Sequence, residues 1–188
     1  AQRSTWEVHT AGLWHRAAYV VAMVGDAMLM QQRSDNKWTY PGLWDYSAAE
    51  TMEGDESFAE AASRGVGEEM RDLLKEGASF PALRKCCGPF TYVWEGAMPY
   101  MYIKEKTVVE AYHARIDDDH LNEESLRKIS NQIRIEQGEN STSLEEVGGW
   151  MLMPIKRLRE EAKSLGSKKY APWLLVALDQ CRACWDDA

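Results

Sequence analysis

Residues 50–69 read ETMEGDESFAEAASRGVGEE, an acidic, glycine-containing segment that runs into a helix. Ser57 stands three residues before Glu60, the spacing of a capping box, in which each side chain caps the other's backbone N–H. The pattern predicts a helix from Ser57 to about Leu74, with Gly77 as its stop. Gly65 and Gly67 lie inside it, and each costs ~1 kcal/mol relative to Ala, so both need a packing or functional reason. Arg64 and Glu68 are four apart and stack on one face. Glu69 lies about 100° further round, over position 65. Adjacent carboxylates repel unless a cation lies between them, and an all-oxygen environment suits magnesium or manganese. Read alone, the pair is first of all a solvated acidic patch, and Glu60, Arg64 and Glu68 can be a plain surface ladder.

Upstream, residues 16–24 and 27–32 read as two strands joined at Gly25-Asp26, a tight hairpin turn. A polar loop runs from Ser34 to Lys37 and on to Pro41-Gly42, and Leu43 to Ala49 reads as a third strand. Glu50 to Glu56 reads as a loop. Downstream, residues 89–94, 98–104 and 107–116 are strand-like, rich in Tyr, Val and Trp. Leu121 to about Gln132 reads as an amphipathic helix, 136–144 as a surface loop and Val147 to Met153 as a last strand. Pro154 opens a helix to about Leu165, and Pro172 opens the final one. Strands interleaved with helices, without a regular βαβ repeat, predict an α/β mixed sheet with helices on its faces.

The stretch at 50–72 resembles the Nudix box, G-x5-E-x7-R-E-U-x-E-E-x-G-U with U aliphatic. Glu56 takes the first Glu, Arg64 the Arg, Val66 the aliphatic position and Glu68-Glu69 the paired Glu. The flanks EVHTAGLWHRA (7–17), LMQQRS (29–34) and PGLWDYSAA (41–49) are similar to Nudix proteins of the isopentenyl-diphosphate isomerase type. Glu146-Val147 before Trp150 resembles a late strand of the same fold. The resemblance implies one Nudix-like α/β domain over 1–188, a mixed β-sheet sandwiched between α-helices. The box would span 50–72, a helical insertion about 118–135 and C-terminal helices 154–185.

The departures matter as much as the matches. The first box position, normally Gly, is Glu50; the Glu after Arg is Gly65; the late Gly is Arg71. The catalytic Cys of the isomerase branch falls at Ala49, its following His at Thr51 and its second acidic residue at Thr107. Ala49 cannot do acid–base work, so isomerase activity is not expected. His9, His15 and Glu105 survive from the isomerase pattern. His9 and His15 stand six apart in what reads as a non-helical segment, where both can reach one metal or be ordinary satisfied histidines. The resemblance implies Glu68 and Glu69 as metal ligands and catalytic groups, Arg64 as a clamp on a neighbouring carboxylate, and Arg33 and Lys37 as candidates to meet a diphosphate. Glu50 joins them by the exchange: its side chain can enter the space left by Gly65 and supply the missing carboxylate. The alternative is a decayed site with Glu50 in solvent. Tyr and Trp at 38, 40, 44, 94, 100 and 102 can wall an apolar pocket or pack the core.

The leading expectation is a magnesium- or manganese-dependent hydrolase of an organic diphosphate, of nucleoside or prenyl type. The competing one is a non-hydrolytic Nudix-like protein that binds a diphosphate or RNA-end ligand, catalyses another reaction on it, or serves as a subunit of an assembly. With 22 Lys and Arg against 30 Asp and Glu, net −8, bulk attraction to nucleic acid is excluded. The partner expected is a small diphosphate, and an oligomer or assembly partner is compatible. No stretch approaches ~18 apolar residues, so no membrane span is expected. A soluble, intracellular protein is expected, with a removed targeting segment compatible because the first residue is Ala. Cys86, Cys87, Cys181 and Cys184 do not make a disulfide framework for a chain of this size and are expected as reduced, small apolar residues. A redox or zinc role for the C-x-x-C is the lesser reading.

Overall fold

Ala17 to Val24 form an unbroken buried run, which a strand can contain only if both its faces are covered. The computed structural model describes residues 4–98, 101–122, 124–125 and 147–186. Helix α1 (Thr5–Ala11) leads into β1 (Trp14–Val24), which holds the buried run. There follow β2 (Ala27–Arg33), β3 (Trp44–Asp45), β4 (Ala48–Thr51) and α2 (Phe58–Gly65). Strands β5 (Arg84–Met98) and β6 (Met101–Arg115) come next, then β7 (Val147–Pro154). Helices α3 (Ile155–Ser164), α4 (Pro172–Gln180) and α5 (Ala183–Asp186) close the described chain.

The sheet order is β3-β2-β1-β6-β5, with β4 also on β1 and β7 also on β2. Strand β1 runs parallel to β6, from Trp14 opposite Lys106 to Met23 opposite Arg115, and the other pairings are antiparallel. Side-chain alternation divides β1 between two cores. Ala18, Val20 and Ala22 pack with Leu29, Ala61, Ala62, Val66 and Met70 beneath α2. Tyr19, Val21 and Met23 pack with Met28, Met30, Tyr46, Leu158 and Leu174 beneath α3 and α4. This is the expected mixed sheet between helices. Among the described residues no helix is long and apolar enough to cross a membrane.

Several boundaries differ from the sequence expectation. The third strand is two short ones, because the chain changes partner at Ser47. Strand β3 pairs with β2, whereas β4 pairs with β1. The Ser47 hydroxyl satisfies the switch by donating to Leu29 O and accepting from the Ala22 N–H. Glu50 and Thr51 are therefore in a strand, not a loop. The helix expected to Leu74 is α-helical only to Gly65; a π-turn (Val66–Met70) and a 3-10 turn (Arg71–Leu73) complete it. Two glycines in the last turns weaken the α-helical alternative. The three strands expected over 89–116 are two long ones. Gly88-Pro89 is absorbed by register shifts in β5 rather than ending it. The segments expected as helix beyond 125 and as loop at 136–144 lie outside the described residues.

The cysteines are not reduced. Cys86 is joined to Cys184, and Cys87 to Cys181. The partners lie 98 and 94 residues apart, so only the packing of the C-terminal helices against β5 brings them together.

Glu161 on α3 gathers Lys169 Nζ at 2.9 Å, the Tyr170 hydroxyl at 2.8 Å and Arg157. Burial works to raise its pKa, but Lys169, Tyr170 and Arg157 hold it down to about 2, against an ordinary 4.5. A depressed carboxylate contributes stability above its unfolded pKa and loses it as pH falls through the folded one. Glu161→Gln is expected to cost about 1–3 kcal/mol at pH 7. In urea melts the gap from wild type should shrink by more than half by about pH 3, inside the window from 4.5 to about 2.

Candidate functional site

The expected capping box forms: Ser57 Oγ accepts from the Glu60 N–H at 3.3 Å, and the Glu60 carboxylate accepts from the Ser57 N–H at 2.8 Å. It starts α2 so that Arg64 faces β4. Arg64 donates from Nε to Glu56 at 2.9 Å, from Nη1 to Glu50 at 2.8 Å and from Nη2 to Thr51 O at 3.0 Å. Glu68 lies 3.5 Å from Arg64 Nη1 and is 53% exposed. The π-turn directs Glu69 the other way, toward the sheet. Its carboxylate accepts from Gln31 Nε2 at 2.9 Å and the Ala49 N–H at 3.3 Å. Burial of this carboxylate, with Glu50 nearby, pushes its pKa up to about 8, although the bond from Gln31 works against that.

Positions 50 and 65 are coupled sterically. A Cβ added at Gly65 would lie 2.3 Å from Glu50 Cγ, a distance no pair of non-bonded carbons tolerates. The Glu50 side chain crosses from β4 into the space that a side chain at 65 would fill. Gly65 has an ordinary right-handed helical conformation, so space rather than backbone freedom explains the glycine.

The opposite wall holds His9, His15 and Glu105. His9 is not in an irregular segment: it lies on α1, capped by Ser4 and Glu7. The S-x-x-E spacing of Ser4-Thr5-Trp6-Glu7 is the signal that could have found this helix. His15 is opposite Thr107 in the β1–β6 pairing, two residues from Glu105. His9 Nδ1 contacts Glu105 Oε2, and His15 Nε2 is 2.9 Å from Oε1. The ligand atoms of these three residues all lie within 4.8 Å of one another. Burial works to raise the Glu105 pKa, but the bonds from His15 and His9 bring it down to about 2. Two imidazoles and a carboxylate converging in a partly buried place fit a divalent cation. Among the described residues the carboxylates of Glu50, Glu68 and Glu69 do not converge in this way, whereas those of Asp117 and Asp119 do so with His120.

Between the walls lies the loop after β2. Arg33 lines the cleft, yet its guanidinium is used within the fold: Nη1 meets Asp45 at 3.1 Å, and Nε and Nη2 donate to Thr39 O. Trp173 of α4 donates to Asp45 Oδ1 at 2.7 Å and stacks under Arg33. Burial pushes the Asp45 carboxyl up, against Arg33, the Tyr46 N–H and Trp173. Arg33 thus shapes the loop that carries Lys37. Tyr40, in the same loop, has φ 50°, a left-handed conformation that costs a non-glycine residue about 1–3 kcal/mol. Its ring packs edge-on against Trp94 and Trp173. Its buried hydroxyl has no hydrogen-bond partner among the described residues, which calls for a ligand or water.

His9, His15, Arg33, Lys37, Glu50, Arg64, Glu68, Glu69 and Glu105 all line one cleft of about 1300 Å³. Trp38, Tyr40 and Trp94 line it as expected aromatics, whereas Trp44 belongs to the core, Tyr102 is exposed, and Tyr100 lies outside the described residues. Sequence reasoning missed Trp173, which reaches the cleft from the far end of the chain.

The NUDIX domain family model matches residues 13–174. An isopentenyl-diphosphate Delta-isomerase of Roseobacter denitrificans is 42% identical over 64 residues, which are 34% of this chain and 36% of that enzyme. Nudix hydrolase 3 of Arabidopsis thaliana is 35% identical over 85 residues, 43% of this chain and 11% of that protein. The chain thus spans only about a third, or less, of the curated relatives it matches. Among solved structures, a Deinococcus radiodurans protein superposes with TM-score 0.54 at 14% identity, over 89% of this chain and 82% of that one. A MutT NUDIX hydrolase from Burkholderia pseudomallei superposes with TM-score 0.52 at 12% identity, over 89% and 97%. These likenesses share the mixed sheet between helices, and with the family model spanning most of the sequence the chain belongs to the Nudix domain family.

Proposed function

We propose that this protein is a divalent-metal-dependent hydrolase of an organic diphosphate, of nucleoside or prenyl type, acting in the cleft between α1 and α2. One observation supports the reading: the Glu50 side chain lies in the space that a side chain at position 65 would fill. Glu50, Glu68 and Glu69 would hold magnesium or manganese from one side, and His9, His15 and Glu105 form a second candidate set across the cleft. When bound, such a cation supplies charge neutralisation at phosphate oxygens and a lowered pKa for water. A carboxylate of the Glu50, Glu68 and Glu69 group takes a proton from the attacking water. Arg64 orients Glu50 and Glu56, Lys37 meets the phosphates from the loop that Arg33 shapes, and the Tyr40 hydroxyl donates to the bound ligand. The aromatic rings around Tyr40 offer a surface for the group linked to the diphosphate.

A second reading, a diphosphate-binding protein that does not hydrolyse, draws on the ion pair between Glu50 and Arg64. In that reading Glu50 is a partner for the guanidinium and not for a metal.

A phosphate-release screen over varied diphosphates, with magnesium and with manganese, separates the two; silence across the panel beside clear ligand binding selects the second. Manganese titration by calorimetry should weaken at least about tenfold, ~1.4 kcal/mol, in Glu68→Gln/Glu69→Gln and in Glu50→Gln. Equal affinity in wild type and the double variant rejects the metal assignment. The reciprocal exchange tests the coupling of positions 50 and 65. Gly65→Glu alone should destabilise by about 1–3 kcal/mol through overpacking, and Glu50→Gly/Gly65→Glu should recover most of that in thermal melts. Tyr40→Phe should leave the melting temperature within about 2 °C, since a hydroxyl without a partner contributes little to folding, yet weaken diphosphate binding several-fold.

A further inference from the structure

The four cysteines are not among the residues that line the cleft, yet one of their bridges lies on the helix that supplies Trp173. Trp173, Ala177 and Cys181 stand four residues apart along α4 and its C-cap, so they share one side of the helix. Ala177 is fully buried and Cys181 is 1% exposed, which sets that side against the core. Its two ends are held differently. At the N-terminal end, Ala171 and Lys169 exchange backbone bonds of 2.9 Å with Trp44, and Trp173 donates to Asp45 and stacks on Arg33. At the C-terminal end, the Cys181 N–H closes the last turn on Ala177 O at 2.8 Å, and its sulfur is joined to Cys87 of β5. Backbone bonds at one end fix where a helix starts but not its rotation about its own axis. The covalent link at Cys181 fixes that rotation, and with it the direction in which Trp173 points. The other bridge, between Cys86 and Cys184, anchors α5 instead, whose Trp185 stacks over Tyr46. From Trp173 the effect passes to the loop after β2. Arg33 donates from Nε and Nη2 to Thr39 O, and its carbonyl accepts from the Gly42 N–H at 2.9 Å. Between these bonds stand Lys37, Trp38 and Tyr40, all of which line the cleft.

We propose that the bond between Cys87 and Cys181 is a redox-sensitive control on the cleft. Closed, it holds α4 so that Trp173 stays on Asp45 and Arg33, and with them the loop carrying Lys37 and Tyr40. Opened, it lets α4 turn and frees that loop. Cys87 is partly buried, so a small dithiol reaches the bridge from β5. One thiolate of the reagent attacks the Cys87 sulfur, the S–S bond breaks, and Cys181 leaves and takes a proton. The second thiol of the reagent then displaces Cys87, which also ends as a thiol, and the reagent becomes a cyclic disulfide. Two electrons and two protons pass to the cysteine pair, and an oxidised dithiol reverses the exchange. The bridge between Cys86 and Cys184 keeps α5 on the core and is not part of the control. The loop response is independent of the hydrolase reading; only its effect on a bound ligand rests on that reading.

The test uses the full chain with and without dithiothreitol, read by hydrogen exchange and mass spectrometry. Reduction should speed exchange over residues 33–43 by about tenfold or more, while peptides of β1 and α2 keep their rates. Cys87→Ser/Cys181→Ser should show the fast loop without reductant. Cys86→Ser/Cys184→Ser should show the slow loop until reductant is added. Trp173→Phe, which removes the donor to Asp45, should have a fast loop in both states. Calorimetry with inorganic pyrophosphate and manganese gives a second readout, in which reduction should weaken binding by about tenfold. If the oxidised chain binds no pyrophosphate, the functional reading fails and the exchange data alone decide the control. A loop that exchanges equally in both redox states, a response that persists in Cys87→Ser/Cys181→Ser, or a loss of protection that includes β1 and α2 overturns the proposal.

Discussion

Strand β1 is covered on both faces from Ala17 to Val24, and the consequences of that burial extend to the cleft. A strand with no solvent face requires one helical layer beneath each side, and its alternation of residues keeps the two cores separate. Because β4 pairs on β1 with Ala18 opposite Glu50, Glu50 is delivered to α2 at the level of Gly65. Because β6 pairs in parallel with His15 opposite Thr107, Glu105 arrives beside the two histidines. A one-residue slip in either register would turn those side chains to the other face of the sheet.

The cleft concentrates carboxylates in a chain that is already acidic, and its walls balance that charge differently. Around α2, Arg64 is a fixed cation among Glu50, Glu56 and Glu68. Glu69 is turned away from it into a desolvated place, where its charged form is disfavoured. Across the cleft, His9 and His15 stabilise the charged form of Glu105. One wall therefore keeps its acid ionised through its partners, whereas burial in the other disfavours the charged form of Glu69. Beside these walls, the buried hydroxyl of Tyr40 has no hydrogen-bond partner among the described residues.

The C-terminal helices belong to the cleft's construction as well as to the core. Trp173 binds Asp45 and stacks on Arg33, so the conformation of the loop carrying Lys37 and Tyr40 depends on how α4 is seated. The two covalent links from β5 to Cys181 and Cys184 restrain that seating over a long sequence separation, which limits the freedom of the unfolded chain.

Local signals made much of this legible in the sequence. The capping box at Ser57 and Glu60, the turn at Gly25-Asp26, the apolar runs of β1 and β2 and the spacing of Arg64, Glu68 and Glu69 all depend on residues within one or two turns of each other. They determined the mixed sheet with helices, while the resemblance to the Nudix box and its flanks named the residues that line the cleft. The capping box of α1 was equally local and was overlooked. What the sequence did not determine depends on contacts across the fold. The break at Ser47, the uninterrupted β5 through Gly88-Pro89 and the reach of Trp173 each follow from a partner distant in sequence. The disulfides are the plainest instance, since thiols 94 and 98 residues apart become neighbours only when helices dock on a strand. The exchange of Glu50 and Gly65 stands between these cases. Sequence showed that both positions were unusual and offered the exchange beside plain decay, and the tertiary packing sets the Glu50 side chain in the space that Gly65 leaves.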